Sequence, residues 1–203
     1  MKSALHTTTA VMGAWMGLAG IEHGIGELLQ GRTGGGGMIL SWPDSPFFAS
    51  LSGEPAFTLL GDMRLTGALA VLISVLFIAW SIGVRDLRRG GVGMMLLAVP
   101  MFLFGGGIFP PVLGFMIGLV RVCGGGMRQR EVRCSVGRFL GKHWQWIFGA
   151  CICAWLALLP GTAVMGYFFG VDDAGFIVAV IAAAFGLMGL SFWSARLHDR
   201  MVG

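Results

Sequence analysis

The chain has 203 residues, of which 56% are hydrophobic and only 12% charged, against about 25% charged in a soluble domain. Its apolar residues fall in runs close to the ~20 residues that cross hydrocarbon at 1.5 Å per residue, which leaves no room for a soluble core. The net charge of +4 is the excess expected of Lys and Arg kept in cytoplasmic loops, so it is no argument for a nucleic-acid partner.

The first apolar segment covers about 7–29. One lysine, Lys2, precedes it, no small-residue cleavage site follows it, and it exceeds a signal-peptide core, so it reads as a retained span. Gly13, Gly17, Gly20 and Gly24 lie on it at spacings of 4, 3 and 4. At ~100° per residue they form one narrow stripe. Helices in lipid associate by close packing, so the stripe predicts a contact face, for a neighbouring helix or for a membrane protein partner.

The outer third of this segment carries Glu22, His23 and Glu27. An ionisable group in a span costs ~2.5–3.5 kcal/mol at the helix centre and less near the interface, which makes all three functional candidates. His23 and Glu27, four apart, project to nearly the same side and can share a ligand, a proton or a metal ion. Glu22 is expected to point to the other side and to need a different partner. A His-x-x-x-Glu pair gives only two metal ligands, and no further cluster has the spacing to complete a set. Structural hydrogen bonding and a substrate or proton site therefore stand ahead of a metal centre.

A Gly/Pro-rich outer loop is expected over 30–61, including Gly34 to Gly37 and Ser41-Trp42-Pro43-Asp44-Ser45-Pro46. The second span covers 65–84. At its outer end Arg64 is a potential ion-pair partner for Glu27 or Glu22, with Arg32 nearby, and Asp62 either joins the site or caps its helix. The next apolar stretch is interrupted by Gly105-Gly106-Gly107-Ile108-Phe109-Pro110-Pro111, where a helix should end and a new one begin at Pro111.

Positive charge decides between one broken span and a hairpin of 92–104 with 111–122. The hairpin places every basic residue except Arg32 and Arg64 on one side, and Asp172 and Asp173 on the other. Cytoplasmic loops hold the Lys/Arg excess, so the hairpin is preferred and both termini are expected to be cytoplasmic. The Gly/Pro turn reads as a tight loop at the outer surface in preference to a buried turn lining a cavity with His23 and Glu27.

A basic cytoplasmic loop follows at 121–143. It lacks the Gly-Lys-Ser/Thr of a phosphate loop and suits anionic lipid headgroups. Two further spans cover 146–169 and 175–195, the last with a weaker small-residue stripe at Ala182, Gly186 and Gly189. Cys123 and Cys134 fall in the cytoplasmic loop and Cys151 and Cys153 inside a span, so free thiols are expected. His6, His143 and His198 lie near cytoplasmic ends as solvated groups. Trp42, Trp144, Trp146 and Trp193 suit interfacial anchoring.

Gly20-Ile21-Glu22-His23-Gly24-Ile25-Gly26-Glu27, with Gln30-Gly31 after it, and the 105–111 motif resemble an uncharacterised family of small prokaryotic polytopic membrane proteins, over most of the chain. The resemblance implies the fold and attaches no activity. In size and helix number the chain also looks like the substrate-binding subunit of energy-coupling-factor vitamin transporters, with 30–61 as a lid. That likeness concerns the fold and does not carry function.

The expected architecture is all-α: one transmembrane domain over 1–203, a multi-pass helix bundle of the cell membrane. Four full spans and a short helical hairpin give it six hydrophobic helices. The expected function is binding or transport of a small solute or ion at an outer-side site drawn from His23, Glu27, Glu22, Arg64 and Asp62. No motif identifies a reaction or a cofactor. A membrane-embedded enzyme using the His/Glu pair and a non-catalytic membrane subunit are the alternatives.

Overall fold

The computed structural model describes residues 3–31, 36–43, 54–124, 134–170 and 174–202. Lys2, Arg32, Gly34, Gly35, Asp44, Ser45, Pro46, Arg128, Arg130, Arg133, Asp172 and Asp173 lie outside them. The fold is mostly helical, with α1 (Ala4–Gln30), α2 (Met63–Gly83), α3 (Leu87–Leu103), α4 (Phe109–Gly124), α5 (Ser135–Lys142), α6 (Trp144–Leu156), α7 (Thr162–Phe169) and α8 (Ala174–Val202). Two strands, β1 (Gly37–Ser41) and β2 (Glu54–Thr58), pair antiparallel with Gly37 opposite Thr58 and Ser41 opposite Glu54. Among the described residues two helices, Met63–Gly83 and Gly175–Val202, are long and apolar enough to cross a membrane. Phe109–Gly124 and Trp144–Leu159 are apolar but shorter.

The chain forms two compact units, one over 9–126 and one joining 1–8 to 127–203. In the first, the glycine stripe seats α1 against α2. A Cβ on Gly17 would lie 3.0 Å from Ser74 O, one on Gly24 2.8 Å from Gly67 O, and one on Gly67 2.8 Å from Leu28 N. Gly13 and Gly20 also receive the methyl ends of Met94 and Met101 from α3. The stripe is thus filled from within the chain. Gly17→Leu is expected to cost at least about 1–3 kcal/mol by overpacking, read as a lower melting temperature of the purified protein; an unchanged melting temperature would refute this contact.

Helices α3 and α4 fold back on one another, with Gly91 against Gly118 and Gly90 against Arg121. α3 starts earlier than the apolar run implies, because the Asp86 carboxylate caps it by accepting from Arg89 N at 2.6 Å. The turn at 105–107 departs from the expected surface loop: it is buried. Strand β2 holds it there, since Gly105 N donates to Phe57 O at 2.9 Å and Leu59 N donates to Leu103 O at 3.0 Å. These bonds satisfy backbone groups that a buried irregular turn would otherwise leave unpaired. The segment expected as a plain loop over 30–61 therefore carries a hairpin that is part of the packed unit.

Arg121 also departs from expectation. It is wholly buried in α4 and is no loop charge. Its guanidinium donates to Ser81 O at 2.9 Å and to Val84 O, satisfying carbonyls at the C-terminal end of α2 that have no helical partner.

In the second unit, α5 and α6 pack on α8. Ser191 Oγ donates to Ile147 O at 3.4 Å, and the rings of Trp155 and Phe185 lie 5.4 Å apart. His198 Nδ1 lies 3.0 Å from Gly141 O, with its ring 5.4 Å from that of Trp144. The first turn of α1 belongs here: the Asp199 carboxylate accepts from Ser3 Oγ at 2.6 Å, Ala4 N at 2.7 Å and Leu5 N at 2.9 Å, which caps a helix N-terminus with an anion. Between α6 and α7 the residues Ala157–Gly161 form a π-helical turn around Pro160, which has no N–H to give. The small-residue stripe expected on α8 is not a contact face among the described residues, because Gly186 and Gly189 meet nothing within 4 Å and Ala182 is exposed.

Candidate functional site

The site is built on the C-terminal turns of α1. His23 is buried, and three oxygens surround its Nδ1: Ala19 O at 3.1 Å, Glu22 Oε2 at 3.1 Å and Glu54 Oε2 at 3.2 Å. The carbonyl can only accept, and ionised carboxylates also only accept, so Nδ1 carries the proton. Glu22 therefore does not look away from His23. Neighbours on a helix are about 100° apart, but the flexible Glu22 side chain spans that angle and meets the imidazole.

Glu54 comes from a different element. It opens β2 opposite Ser41, and the hairpin brings it over α1. Trp42, just after β1, has a left-handed backbone (φ 56°). Its indole Nε1 donates to Glu22 O at 3.3 Å, and a Cβ on Gly26 would lie 2.6 Å from that nitrogen. Trp42 thus packs against the backbone of α1 at Glu22 and Gly26.

Glu27 lies one turn beyond His23 and is fully buried. Ser41 Oγ donates to its Oε1 at 3.5 Å, while Oε2 is buried with no hydrogen-bond partner. The buried turn lies across the same face. A Cβ on Gly105 (φ 85°) would lie 2.6 Å from Glu27 Cδ, and one on Gly107 (φ 82°) 2.5 Å from His23 Nε2. Both positions need glycine twice over, for the backbone and for space. Gly105→Ala should lower the melting temperature by an amount matching at least about 1–2 kcal/mol, whereas Gly83→Ala, which would meet nothing within 4 Å, should leave it unchanged.

Two expected members are elsewhere. Asp62 caps α2, accepting from Arg64 N at 2.9 Å and Leu65 N at 3.3 Å. Arg64 is exposed, and its guanidinium makes no ion pair with Glu22 or Glu27 among the described residues. Residue 64 opens α2, so the side chain extends outward in place of crossing to α1.

The result is three carboxylates around one imidazole, and both ion pairs in the cluster use that single histidine. Among the described residues no Lys or Arg balances them. Burial pushes the Glu54 carboxyl up to about 7; His23 opposes this, and the neighbouring Glu22 carboxylate raises it further. Uncompensated carboxylates under a hairpin are an arrangement that accepts a proton or a cation.

Glu54, Ser41 and Trp42 have no place among the sequence-derived site residues. The signal for Glu54 is that it stands alone as a charged residue in an otherwise uncharged stretch from 45 to 61. No family model, curated protein or solved structure matches the chain, so its own chemistry carries the functional reading.

Proposed function

We propose that the chain is a multi-pass membrane protein that binds, and passes across the bilayer, a small cation or cationic solute. Its site is the Glu22–His23–Glu27–Glu54 cluster beneath the 37–58 hairpin. The observation that carries this is the charge imbalance: two carboxylates share one imidazole, and a third, Glu27 one turn away, keeps a buried oxygen without a hydrogen bond. Leaving such charge unmatched is costly, so the site is completed by something positive. The membrane assignment is supported by α2 and α8 and by apolar side chains such as Leu72, Leu76 and Val178 on their exposed faces. In this reading α1, α2, the α3–α4 hairpin, α6 with α7, and α8 form the spans. Both termini are cytoplasmic and the hairpin lies on the outer side, a sidedness supported by the distribution of Lys and Arg.

An enzyme working through His23 finds less support. Gly107 lies against Nε2, the nitrogen that an acid–base imidazole would offer to a substrate. A non-catalytic partner subunit would need a face other than the glycine stripe, which α2 fills. Proteoliposomes test the proposal, with a pH-sensitive dye inside and Na⁺, K⁺ or choline imposed as gradients. Proton or cation flux that disappears in Glu27→Gln, with folding intact, supports it; identical flux in wild type, Glu27→Gln and Glu54→Gln removes it.

A further inference from the structure

The geometry points to a divalent first-row transition-metal site formed by His23 Nδ1 and the carboxylates of Glu22 and Glu54, an assignment that rests on the cation-site reading above and names the cation. One ligand atom from each of these residues lies within 4.8 Å of the others. The two carboxylate oxygens facing the imidazole are 3.1 and 3.2 Å from Nδ1. An ion held at about 2.0–2.2 Å from nitrogen and oxygen ligands sets them roughly 3–4 Å apart, so the cluster needs only small carboxylate movements to close on it.

The ligands come from two elements, α1 and the hairpin, which is how a three-ligand set escapes a search by sequence spacing. A second feature points the same way. Glu27, fully buried one turn along the same helix face, holds an oxygen with no hydrogen-bond donor, and Glu22 Oε1 is also buried without one. The surplus is therefore of acceptors, and a metal ion satisfies acceptors that lack donors. On binding, the ion takes the place of the Nδ1 proton, and because a ligating imidazole must be neutral, an imidazolium ring releases that proton whereas a neutral ring moves it to Nε2.

The donor set selects the ion. Imidazole suits Zn, Fe, Ni and Cu, and carboxylate extends the range to Mn. Ca²⁺ and Mg²⁺ prefer all-oxygen shells and gain little from His23. Three protein ligands leave room for water or a solute at a further position.

The test uses the tag-free full chain, purified in detergent and stripped with a chelator, then titrated with Co²⁺ and followed by its visible absorption. The expected result is one Co²⁺ per chain, displaced by Zn²⁺ but not by millimolar Ca²⁺ or Mg²⁺. Affinity should fall at least about 10-fold in Glu54→Gln and in Glu22→Gln, with melting curves showing both variants folded. Glu54→Gln lies in the hairpin, so it keeps the test decisive if Glu22→Gln, on α1, prevents folding. Absence of Co²⁺ binding, wild-type affinity in both variants, or displacement by Ca²⁺ overturns the assignment. If Co²⁺ does not bind but a proton or Na⁺ flux still requires Glu27, the metal falls and the cation site stands. Co²⁺ binding that needs Glu54, with no flux in vesicles, leaves the metal site and removes the transport reading.

Discussion

Arg121→Ala should destabilise the 9–126 unit by about 3–5 kcal/mol, the largest single-residue effect expected in the chain. The guanidinium is wholly buried and donates to Ser81 O and Val84 O. Each such charge-assisted bond contributes about 1.5–3 kcal/mol, and truncation leaves the two carbonyls without donors in a place water does not reach. Gly90 lies against the guanidinium, so the cavity left by alanine opens at the α3–α4 contact as well. At a few degrees per kcal/mol, the melting temperature should fall by roughly 10 °C. Arg121→Lys should recover little, because an ammonium on a flexible stem does not reproduce the planar fork. Arg138→Ala, at an exposed position, should be neutral. Equal melting temperatures for wild type and Arg121→Ala would mean that the α2 end is satisfied in another way.

Glu54→Gln should do the opposite and raise stability at alkaline pH. The folded chain holds this carboxyl at about 7 against an ordinary 4.5, chiefly by burial. A raised acid pKa means that the folded state binds the proton more tightly than the unfolded one, so stability is lost as pH rises from about 4.5 to 7 and stays low above that. The amide carries no charge to bury and removes this penalty. At pH 8, with chelator present, the variant should be more stable than wild type by about 1–3 kcal/mol, and the difference should vanish near pH 4. A residue retained only for structure would give the reverse, with Glu54→Gln less stable at every pH. A destabilising wild-type residue that is needed for ligand is the usual cost of a functional site.

How much of this the sequence discloses depends on the range of the interaction. The stripe of Gly13, Gly17, Gly20 and Gly24 is a local periodicity, and it marks the α1–α2 contact because the 3.6-residue repeat fixes which residues share a face. The glycines and prolines at 105–111 mark the break between α3 and α4 for a local reason too, since each acts on its own backbone. What stays hidden is pairing between distant segments. Glu54 is 31 positions from His23 along the chain, and five-residue strands with glycine and proline in them give no alternation to read. Arg121 is the first of a run of basic residues, and nothing in its spacing separates a buried cap from a loop charge. Glu22 shows a limit of helical-wheel reasoning: the wheel places its Cα–Cβ bond, and a long side chain then covers a third of a turn.

The most direct measurement of the central claim is the melting temperature of wild type and the Glu22→Gln/Glu27→Gln/Glu54→Gln variant, first in a chelated choline buffer and then with Na⁺ or Mn²⁺ at constant ionic strength. Without small cations the variant should melt above wild type, and one of the two ions should stabilise wild type and leave the variant unmoved. A variant that melts lower, beside a wild type indifferent to both ions, would show that the carboxylates beneath the hairpin serve the fold and wait for nothing.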